Sequence, residues 1–274
     1  MPGTTTDKAV ILSAGMGTRM QKTDADAGIT GEQAEVAQTG MKGMIPIGRP
    51  FLDYVLHAVA DAGYRRVCLV IGPTHHAIRE YYGETLSCTR LSIEFAVQAK
   101  PLGTADAVRA ASDFTGEDPF IVINADNYYP SETLAALRDL DGSGLIAFDR
   151  DGLLTGSNIP ADRIARFAIL QTNAEGHLTR IVEKPSPELL AQQPEPIGVS
   201  MNCWRFEQSI YEACGAIEPS PRGELEIPDA VQYAMEHLGT RFQAVPFSAP
   251  VLDLTSRADI AGVAGKLTDH PVDL

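Results

Sequence analysis

Short apolar runs alternate with amphipathic segments over the first 150 residues of the chain. Each run is almost continuously hydrophobic, which is typical of strands that are buried on both faces of a sheet. We predict strands at Lys8–Leu12, Val67–Ile71, Ile93–Val97, Phe120–Asn124 and Leu145–Phe148. Helical periodicity and capping residues predict helices from Phe51 to Gly63, at Thr74–Tyr82 with Thr74 as the cap, at Thr104–Ala111 and at Ser131–Leu140. The alternation predicts a three-layer α/β/α fold with a mostly parallel central sheet.

The pattern is less regular after residue 150. We predict further strands at Phe167–Leu170, Leu178–Val182, Val199–Trp204 and Phe242–Phe247, and helices at Pro228–Leu238 and Arg257–Leu267. Residues 21–40 are small and polar and lack a clear period, so we predict a long loop there. Because no linker-like segment divides the chain, we expect residues 1–274 to form a single domain with a mixed C-terminal portion.

The charge balance excludes several classes of partner. The chain has 22 Lys and Arg against 36 Asp and Glu, which gives a formal net charge of −14. A field of this sign repels nucleic acids and anionic lipid, and no apolar stretch reaches the ~18 residues of a membrane span. We therefore expect neither a nucleic-acid nor a membrane partner. A small phosphate-bearing substrate would need a local basic pocket, together with a metal.

The cysteines indicate a reducing compartment. Cys68, Cys88, Cys203 and Cys214 form no C-x-x-C pair, and none has a histidine at the spacing of metal ligands. The first fifteen residues lack the long apolar stretch of a signal peptide. We expect reduced thiols and a cytoplasmic location.

A glycine-rich turn follows the first predicted strand, with the sequence LSAGMGTR from Leu12 to Arg19. Small residues after a strand allow the backbone to approach a nucleotide closely. Met20 stands where the dinucleotide fingerprint needs its third glycine, and the P-loop pattern is absent. A plain strand and turn explains G-x-G alone equally well. Arg19 favours phosphate binding, because its guanidinium can hold two phosphate oxygens.

Seven segments in chain order resemble those of the sugar-1-phosphate nucleotidylyltransferases, similar to glucose-1-phosphate uridylyl- and thymidylyltransferases. The segments are LSAGMGTRM (12–20), MKGMIPI (41–47), QAKPLGTADAV (98–108), NADN (124–127), EKP (183–185), RGELEIPD (222–229) and DLTSRADI (253–260). The shared order is far more specific than any single motif. The resemblance implies a Rossmann-like enzyme that joins a nucleoside triphosphate to a sugar 1-phosphate and releases pyrophosphate. It also implies a nucleotide-binding half at about 7–150 and a sugar-phosphate-binding half at about 151–274.

The resemblance assigns roles to single residues. The catalytic residues are Arg19, Lys42, Asp126 and Lys184. The nucleotide-binding residues are Leu12, Ala14, Gly15, Gly17, Thr18, Gln98, Gly103 and Thr104. Glu183, Lys184 and Asn202 would bind the sugar phosphate, and Asp126 and Asp253 would bind Mg²⁺. Gln98 favours UTP or dTTP, because its amide can both donate to and accept from the base.

Four features depart from the family pattern. Ala125 replaces a glycine before the metal aspartate, and Asn202 replaces a glycine of the substrate strand. The connection between Arg19 and Lys42 is longer, and Thr255 and Arg257 stand where glycine and proline are usual. Residues 21–40 either close over the nucleotide or form a disordered surface insertion.

Other activities remain open. One alternative is cytidylyl or guanylyl transfer to another phosphomonoester such as phosphocholine, and another is a non-catalytic paralogue that senses a nucleotide sugar. The presence of Arg19, Lys42, Asp126, Lys184 and Asp253 together argues against a non-catalytic role. A homo-oligomer is compatible with the sequence, which does not set the number of subunits. Pro185 is expected to hold Lys184 in an extended conformation at the end of a strand.

Overall fold

The computed structural model describes residues 5–274, and residues 1–4, which belong to the segment without a signal-peptide pattern, lie outside the described residues. The strands are β1 (Lys8–Leu12), β2 (Pro46–Ile47), β3 (Arg49–Pro50), β4 (Arg66–Ile71), β5 (Ser92–Val97), β6 (Phe120–Asn124), β7 (Asn127–Tyr128), β8 (Ser143–Asp149), β9 (Ile169–Thr172), β10 (Leu178–Val182), β11 (Gly198–Val199), β12 (Trp204–Phe206), β13 (Phe242–Phe247) and β14 (Leu252–Asp253). The helices are α1 (Thr18–Gln21), α2 (Gly31–Thr39), α3 (Phe51–Asp61), α4 (His76–Glu80), α5 (Thr104–Ala110), α6 (Ser112–Thr115), α7 (Ser131–Arg138), α8 (Arg150–Gly156), α9 (Ala161–Ile164), α10 (Pro187–Ala191), α11 (Ile210–Ala216), α12 (Ile227–His237) and α13 (Ala258–Leu267). A 3₁₀ turn at Lys42–Met44 and a π-helical turn at Tyr81–Thr85 complete the backbone elements.

A large mixed sheet runs through the molecule. β1 pairs in parallel with β4 and β6, and β5 adds in parallel outside β4. On the other side of β6, β12 runs antiparallel between β6 and β8, and β13 lies parallel to β8. β11 also pairs with β8 and joins the antiparallel β9–β10 pair to the sheet. The predicted mostly parallel sheet with a mixed C-terminal portion is therefore confirmed.

Helices cover both faces of this sheet. Alternate side chains of β1 enter two separate hydrophobic clusters, Ala9 and Ile11 on one face and Val10 on the other. The first cluster includes residues of α3, α7 and α13, and the second includes residues of α5, α11 and α12. Fully burying one such aliphatic side chain contributes about 1.5–3 kcal/mol, so the period-two pattern fixes which face each strand residue occupies. The three-layer prediction is confirmed.

The segment between the glycine-rich turn and Lys42 differs from its prediction. Residues Gly31–Thr39 form α2, so the predicted continuous loop is wrong there. Thr30 and Gln33 form a reciprocal capping box at the start of α2, and Gly40 ends it in a left-handed conformation. Ala37 alone is buried within α2, which explains why no hydrophobic period reveals the helix.

Further elements were predicted with wrong boundaries, among them the strand expected at Phe167–Leu170, which lies at Ile169–Thr172. The helix predicted at Thr74–Tyr82 begins at His76, and Thr74 does not cap it. The strand predicted at Val199–Trp204 is split into β11 and β12 around Asn202, whose φ of 54° breaks the extended chain.

Within residues 5–274, no helix is both long enough and apolar enough to cross a membrane.

Candidate active site

A cleft of about 400 Å³ opens where β1 and β6 end and their following turns diverge. Its walls include every residue predicted to bind nucleotide, together with two predicted catalytic residues: Leu12, Ala14, Gly15, Gly17, Thr18, Gln98, Gly103, Thr104, Lys42 and Asp126. Parallel α/β sheets bind ligands at the carboxyl ends of their strands, because the chain leaves the sheet there in turns of variable sequence. We call this the nucleotide cleft.

The glycine-rich turn is pressed against the end of α2. A Cβ on Gly17 would lie 2.2 Å from the Gly40 carbonyl oxygen, and a Cβ on Gly40 would lie 2.3 Å from the Met16 carbonyl oxygen. Both glycines also have positive φ, 60° and 78°. Residues 21–39 do not line the nucleotide cleft of the described chain. In this arrangement the end of the segment supports the turn from behind, and Gly40 itself lines the nucleotide cleft. The closing of residues 21–40 over a nucleotide stays a prediction.

Gln98 presents an acceptor to the nucleotide cleft. Its side-chain nitrogen donates to the Gly103 carbonyl oxygen and to the Asp106 carboxylate, at 2.9 Å each. Because both of these partners can only accept, they fix the orientation of the amide. The expectation that the amide also donates to a base carbonyl is wrong for this arrangement. The side-chain oxygen is left to accept from an N–H group of a base.

Two carboxylates meet beside the nucleotide cleft. Asp126 follows β6 directly, and Asp253 lies in β14, whose pairing with β7 sets Asp253 opposite Asn127. The Leu254 N–H donates to the Asp126 carbonyl oxygen at 2.9 Å, which joins the two segments. Burial first, and the nearby Asp126 carboxylate second, raise the pKa of Asp253 from 3.8 to about 6.

Lys42 provides the positive charge at this point. Its ammonium lies 2.7 Å from Oδ2 of Asp126, and its charge partly opposes the rise in the Asp253 pKa. No cluster of three or more candidate metal ligands occurs in the part of the chain that the structure describes. A pair of mutually repelling carboxylates nevertheless fits Mg²⁺, which binds one or two carboxylates and takes its other ligands from phosphates and water.

A second cleft of about 640 Å³ adjoins the first, and both are lined by Thr104 and Glu224. It contains the three predicted sugar-phosphate residues, Glu183, Lys184 and Asn202. It also contains Arg19, which we expected on the triphosphate side. We call this the sugar cleft. Arg19 lies on α1, directly after the glycine-rich turn, so it is placed near the junction of the two clefts.

Most cations of the sugar cleft are already paired within the protein. Arg163 makes two hydrogen bonds to the buried Asp259, at 3.0 and 3.2 Å. Arg166 pairs with Asp162, and Arg222 pairs with Glu226. In residues 5–274, Arg19 and Lys184 make no such ion pair. These two side chains are therefore the ones available to a bound anion.

Two non-glycine residues of the sugar cleft have a left-handed backbone. Lys184 has a φ of 45° and Asn202 a φ of 54°. The expected extended conformation of Lys184 is wrong, although β10 does end shortly before it, at Val182. Asparagine tolerates this region well, whereas a lysine there costs on the order of 1 kcal/mol or more. Partial burial raises the pKa of the neighbouring Glu183, and the Glu226 carboxylate raises it further.

Several residues of the two clefts were not assigned a role from the sequence. Asp106 orients Gln98, Glu224 lines both clefts, and Arg163 and Arg166 approach from the α9 region. Asp106 and Glu224 lie inside segments that were recognised as motifs, so the motif boundaries could have identified them. No pattern in the sequence distinguished Arg163 and Arg166 from surface arginines.

The model of the nucleotidyl transferase family matches residues 8–248, most of the chain. The chain belongs to the nucleotidyl transferase family. A relative from this family, the glucose-1-phosphate thymidylyltransferase of Streptomyces griseus, is 31% identical over 230 residues, which cover 84% of this chain and 57% of the relative. The UTP–glucose-1-phosphate uridylyltransferase AglF of Haloferax volcanii is 26% identical over 229 residues, which cover 82% of each chain.

The fold of this nucleotidyl transferase resembles that of a solved UDP-glucose pyrophosphorylase in complex with UDP-glucose. The TM-score is 0.73 with 19% sequence identity, over 95% of this chain and 98% of the other. At this identity the likeness establishes the shared fold only. The chain spans less than two thirds of the length of several curated relatives, among them the Streptomyces griseus enzyme.

Proposed function

We propose that the protein transfers a nucleotidyl group from UTP or dTTP to a sugar 1-phosphate, giving a nucleoside diphosphate sugar and pyrophosphate. The observation that carries this proposal is the pair of adjoining clefts with unpaired cations on the sugar side. Two anionic substrates must meet inside a protein with a net charge of −14, so a local excess of positive charge is required where they react. Arg19 and Lys184 supply that charge.

The reaction is an in-line displacement at phosphorus. An oxygen of the sugar 1-phosphate forms a bond to the α-phosphorus of the triphosphate, and the bond from the α-phosphorus to the oxygen bridging the β-phosphate breaks. Pyrophosphate leaves with that bonding electron pair. Since the attacking phosphate is already ionised near pH 7, no general base is needed, and positioning and charge stabilisation supply the rate.

Each cleft has a distinct task in this scheme. In the nucleotide cleft, the side-chain oxygen of Gln98 accepts the N–H of a uracil or thymine ring, and the glycine-rich turn offers a backbone free of Cβ atoms to the phosphates. In the sugar cleft, Lys184 binds the sugar phosphate, with Glu183 and Asn202 beside it for sugar hydroxyls. Arg19 balances charge on the departing pyrophosphate at the junction.

The carboxylates of Asp126 and Asp253 would hold Mg²⁺. The bound ion would supply a Lewis acid that neutralises phosphate charge. Lys42 neutralises Asp126 in the described arrangement, and its ammonium can move to a phosphate oxygen when another cation satisfies the carboxylate.

A pyrophosphate-release assay over a panel of substrates tests the proposal. The panel combines UTP, dTTP, CTP, GTP and ATP with glucose 1-phosphate, other sugar 1-phosphates and phosphocholine, with and without Mg²⁺. We expect release with UTP or dTTP that depends on both the sugar phosphate and the divalent ion. Release with CTP and phosphocholine alone would favour the alternative acceptor, and binding of nucleotide sugars without any release would favour a sensing role.

The cellular location, the division into two halves and the number of subunits are further parts of the proposal. The free state of Cys68, Cys88, Cys203 and Cys214 suits a cytoplasmic enzyme. The division into a nucleotide-binding half at about 7–150 and a sugar-phosphate-binding half at about 151–274 agrees with the placement of most residues in the two clefts. Light scattering of the purified protein would establish whether it forms a homo-oligomer.

A further inference from the structure

A buried arginine joins the glycine-rich turn to the segment that carries Asp253. Arg257 is 6% exposed. Its Nε donates to the Met20 carbonyl oxygen at 3.0 Å, and one Nη donates to Oε1 of Gln38 at 2.9 Å. Met20 follows Arg19 in α1, and Gln38 lies in the last turn of α2. Three segments that are distant in sequence therefore meet at one guanidinium.

The partners of Arg257 are neutral. Both are oxygen atoms of amide groups, and within residues 5–274 the guanidinium makes no ion pair with a carboxylate. A buried charge with no counter-ion is expensive, so stability alone is a poor reason for an arginine at this position. A cation in this place lowers the energy of an anion bound nearby, and the phosphate-binding turn is the adjacent feature.

The segment that carries Arg257 is itself fixed. The side chain of Asn158 makes two hydrogen bonds to the backbone of Asp253, at 2.8 and 2.9 Å. Asp259 accepts from the Ser256 N–H at 2.7 Å and is held by Arg163. Hydrogen bonds therefore hold the segment around Arg257, and the two hydrogen bonds of the Arg257 side chain link this segment to α1 and α2.

Gln38 and Arg257 belong to segments far apart in the chain. The connection between Arg19 and Lys42 supplies Gln38, and the segment that carries Asp253 supplies Arg257. We infer that Arg257 and Gln38 act as a strut, a pair of positioning residues that holds the glycine-rich turn and Arg19 in register with the Asp126–Asp253 carboxylates.

This inference rests on the proposed function, because it concerns how the triphosphate is held. Neither residue lines the nucleotide cleft or the sugar cleft, so the strut acts through α1 and not by touching a substrate. Loss of the strut should therefore weaken nucleotide binding and slow turnover, while the KM for the sugar 1-phosphate stays close to that of the wild type.

Arg257→Gln, Arg257→Lys, Gln38→Ala and Gln38→Glu test the strut. We expect Arg257→Gln to raise the dissociation constant and the KM for UTP or dTTP about tenfold, the scale of a lost supporting contact. Arg257→Lys keeps the charge but loses the planar fork, so it should lie between the wild type and Arg257→Gln. Gln38→Ala should have a smaller effect in the same direction. Gln38→Glu keeps an acceptor for Arg257 but gives the guanidinium a counter-ion, so its nucleotide affinity should lie between those of the wild type and Gln38→Ala. Gln232→Ala, the same change on α12, is the matched control.

Calorimetric titration with UTP and dTTP, steady-state kinetics with each substrate varied, and the melting temperature are the three measurements. Lower melting temperatures with unchanged nucleotide affinity and KM would show that Arg257 is merely structural, and would overturn the strut. If Arg257→Gln fails to fold, the nucleotide affinity of Gln38→Ala provides the test. Gln38 is exposed, so truncating its side chain leaves no internal cavity. A wild-type protein that binds UTP or dTTP but never releases pyrophosphate refutes the proposed function, and the binding measurements still decide the strut.

Discussion

The two clefts are built in different ways. The nucleotide cleft lies at the ends of β1 and β6, and five of its lining residues are glycines. The sugar cleft draws charged side chains from α1, from the α9 region, from the turn after β10 and from the loop before α12. Its two left-handed residues lie outside the strands: Lys184 follows the end of β10, and Asn202 separates β11 from β12.

This difference has a physical basis. The direction in which a chain leaves a parallel strand is set by the sheet, so a short local motif is enough to place a phosphate-binding turn. The sugar cleft needs several separate loops to converge, and its charges must be balanced against each other before a ligand arrives. We therefore expect the nucleotide side to tolerate little change in backbone geometry, and the sugar side to respond mainly to changes of charge.

The largest expected effect concerns Asp126, which lines the nucleotide cleft and belongs to the carboxylate pair. Asp126→Asn removes one charge from the proposed Mg²⁺ site and the ionic partner of Lys42. We expect turnover to fall by about 10²-fold or more, the scale of one lost preorganised charge interaction. Turnover at limiting Mg²⁺ is the measurement, and Asp151→Asn, at an exposed carboxylate of α8, is the control. Near-normal turnover of Asp126→Asn would show that Asp126 does not bind the metal.

A change at Lys184 separates charge from backbone strain on the sugar side. Lys184→Ala removes the ammonium but keeps a Cβ in the left-handed conformation, whereas Lys184→Gly removes both. A lost charged hydrogen bond costs about 1.5–3 kcal/mol, so the KM for sugar 1-phosphate should rise roughly 10- to 100-fold in both variants. The KM for the nucleotide should change little. An effect of Lys184→Ala that Lys184→Gly does not share would show that backbone geometry matters instead of charge.

The contrast between the clefts also explains how far the sequence could be interpreted. The strands β1, β6, β10 and β13 were predicted with their observed boundaries. For β1 and β6 the reason is that buried strands carry nearly continuous apolar runs. The α2 helix was missed because its face is hardly buried, although its capping box is visible in the sequence. The conformation of Lys184 could not be predicted, since the rule for residues before proline indicates the opposite.

Candidate site residues divide in the same manner. The motifs identified the residues of the nucleotide cleft because they are contiguous in sequence and the sheet gathers them. The acceptors that orient Gln98 belong to Gly103 and Asp106, within the same motif. The pairing of Arg163 with Asp259 depends instead on a contact between distant segments. A contact of that kind has no local signature, so the pairing of Arg163 is visible only in the folded chain. Arg166 and Arg222 each have their carboxylate partner four residues away, a spacing that the sequence does show.

The choice of base provides a test of the nucleotide side. Gln98→Glu removes the donors to Gly103 and sets a carboxylate against the Asp106 carboxylate. An unmet buried polar group costs about 1–3 kcal/mol, so we expect the rates with UTP and dTTP to fall about tenfold. Relative rates with UTP, dTTP, CTP and GTP are the measurement.

A second substitution sharpens this test. In Gln98→Glu combined with Asp106→Asn, the amide and the carboxylate exchange places, so a donor again faces an acceptor and the repulsion is removed. Partial recovery of the UTP or dTTP rate would show that Asp106 positions the residue at 98. Unchanged relative rates among the four nucleotides in Gln98→Glu would mean that Gln98 does not contact the base.

The smallest expected effect is on stability, and it concerns the carboxylate pair without a bound cation. The pKa of Asp253 is raised from 3.8 to about 6, mainly by burial and also by Asp126. A group whose pKa is higher in the folded state than in the unfolded state stabilises the protein fully below the unfolded value. That contribution is lost as the pH rises through the folded value. Above pH 6 the ionised Asp253 therefore opposes folding, by at most about 3 kcal/mol for a shift of about two units.

Asp253→Asn should accordingly raise the melting temperature in the presence of a chelator at pH 8, by about 2–6 °C, and by much less at pH 4. The asparagine oxygen can still accept the hydrogen bond that Thr255 donates to Asp253, so the change mainly removes charge. Added Mg²⁺ should raise the melting temperature of the wild type at pH 8, because it binds the folded state, and should raise that of Asp253→Asn less. Thermal melts at both pH values, with chelator or Mg²⁺, measure these effects. If the melting temperatures of the two proteins differ by the same amount at every pH, the pKa of Asp253 is not raised in the folded state. If Asp253→Asn keeps the full Mg²⁺ response, the metal binds elsewhere.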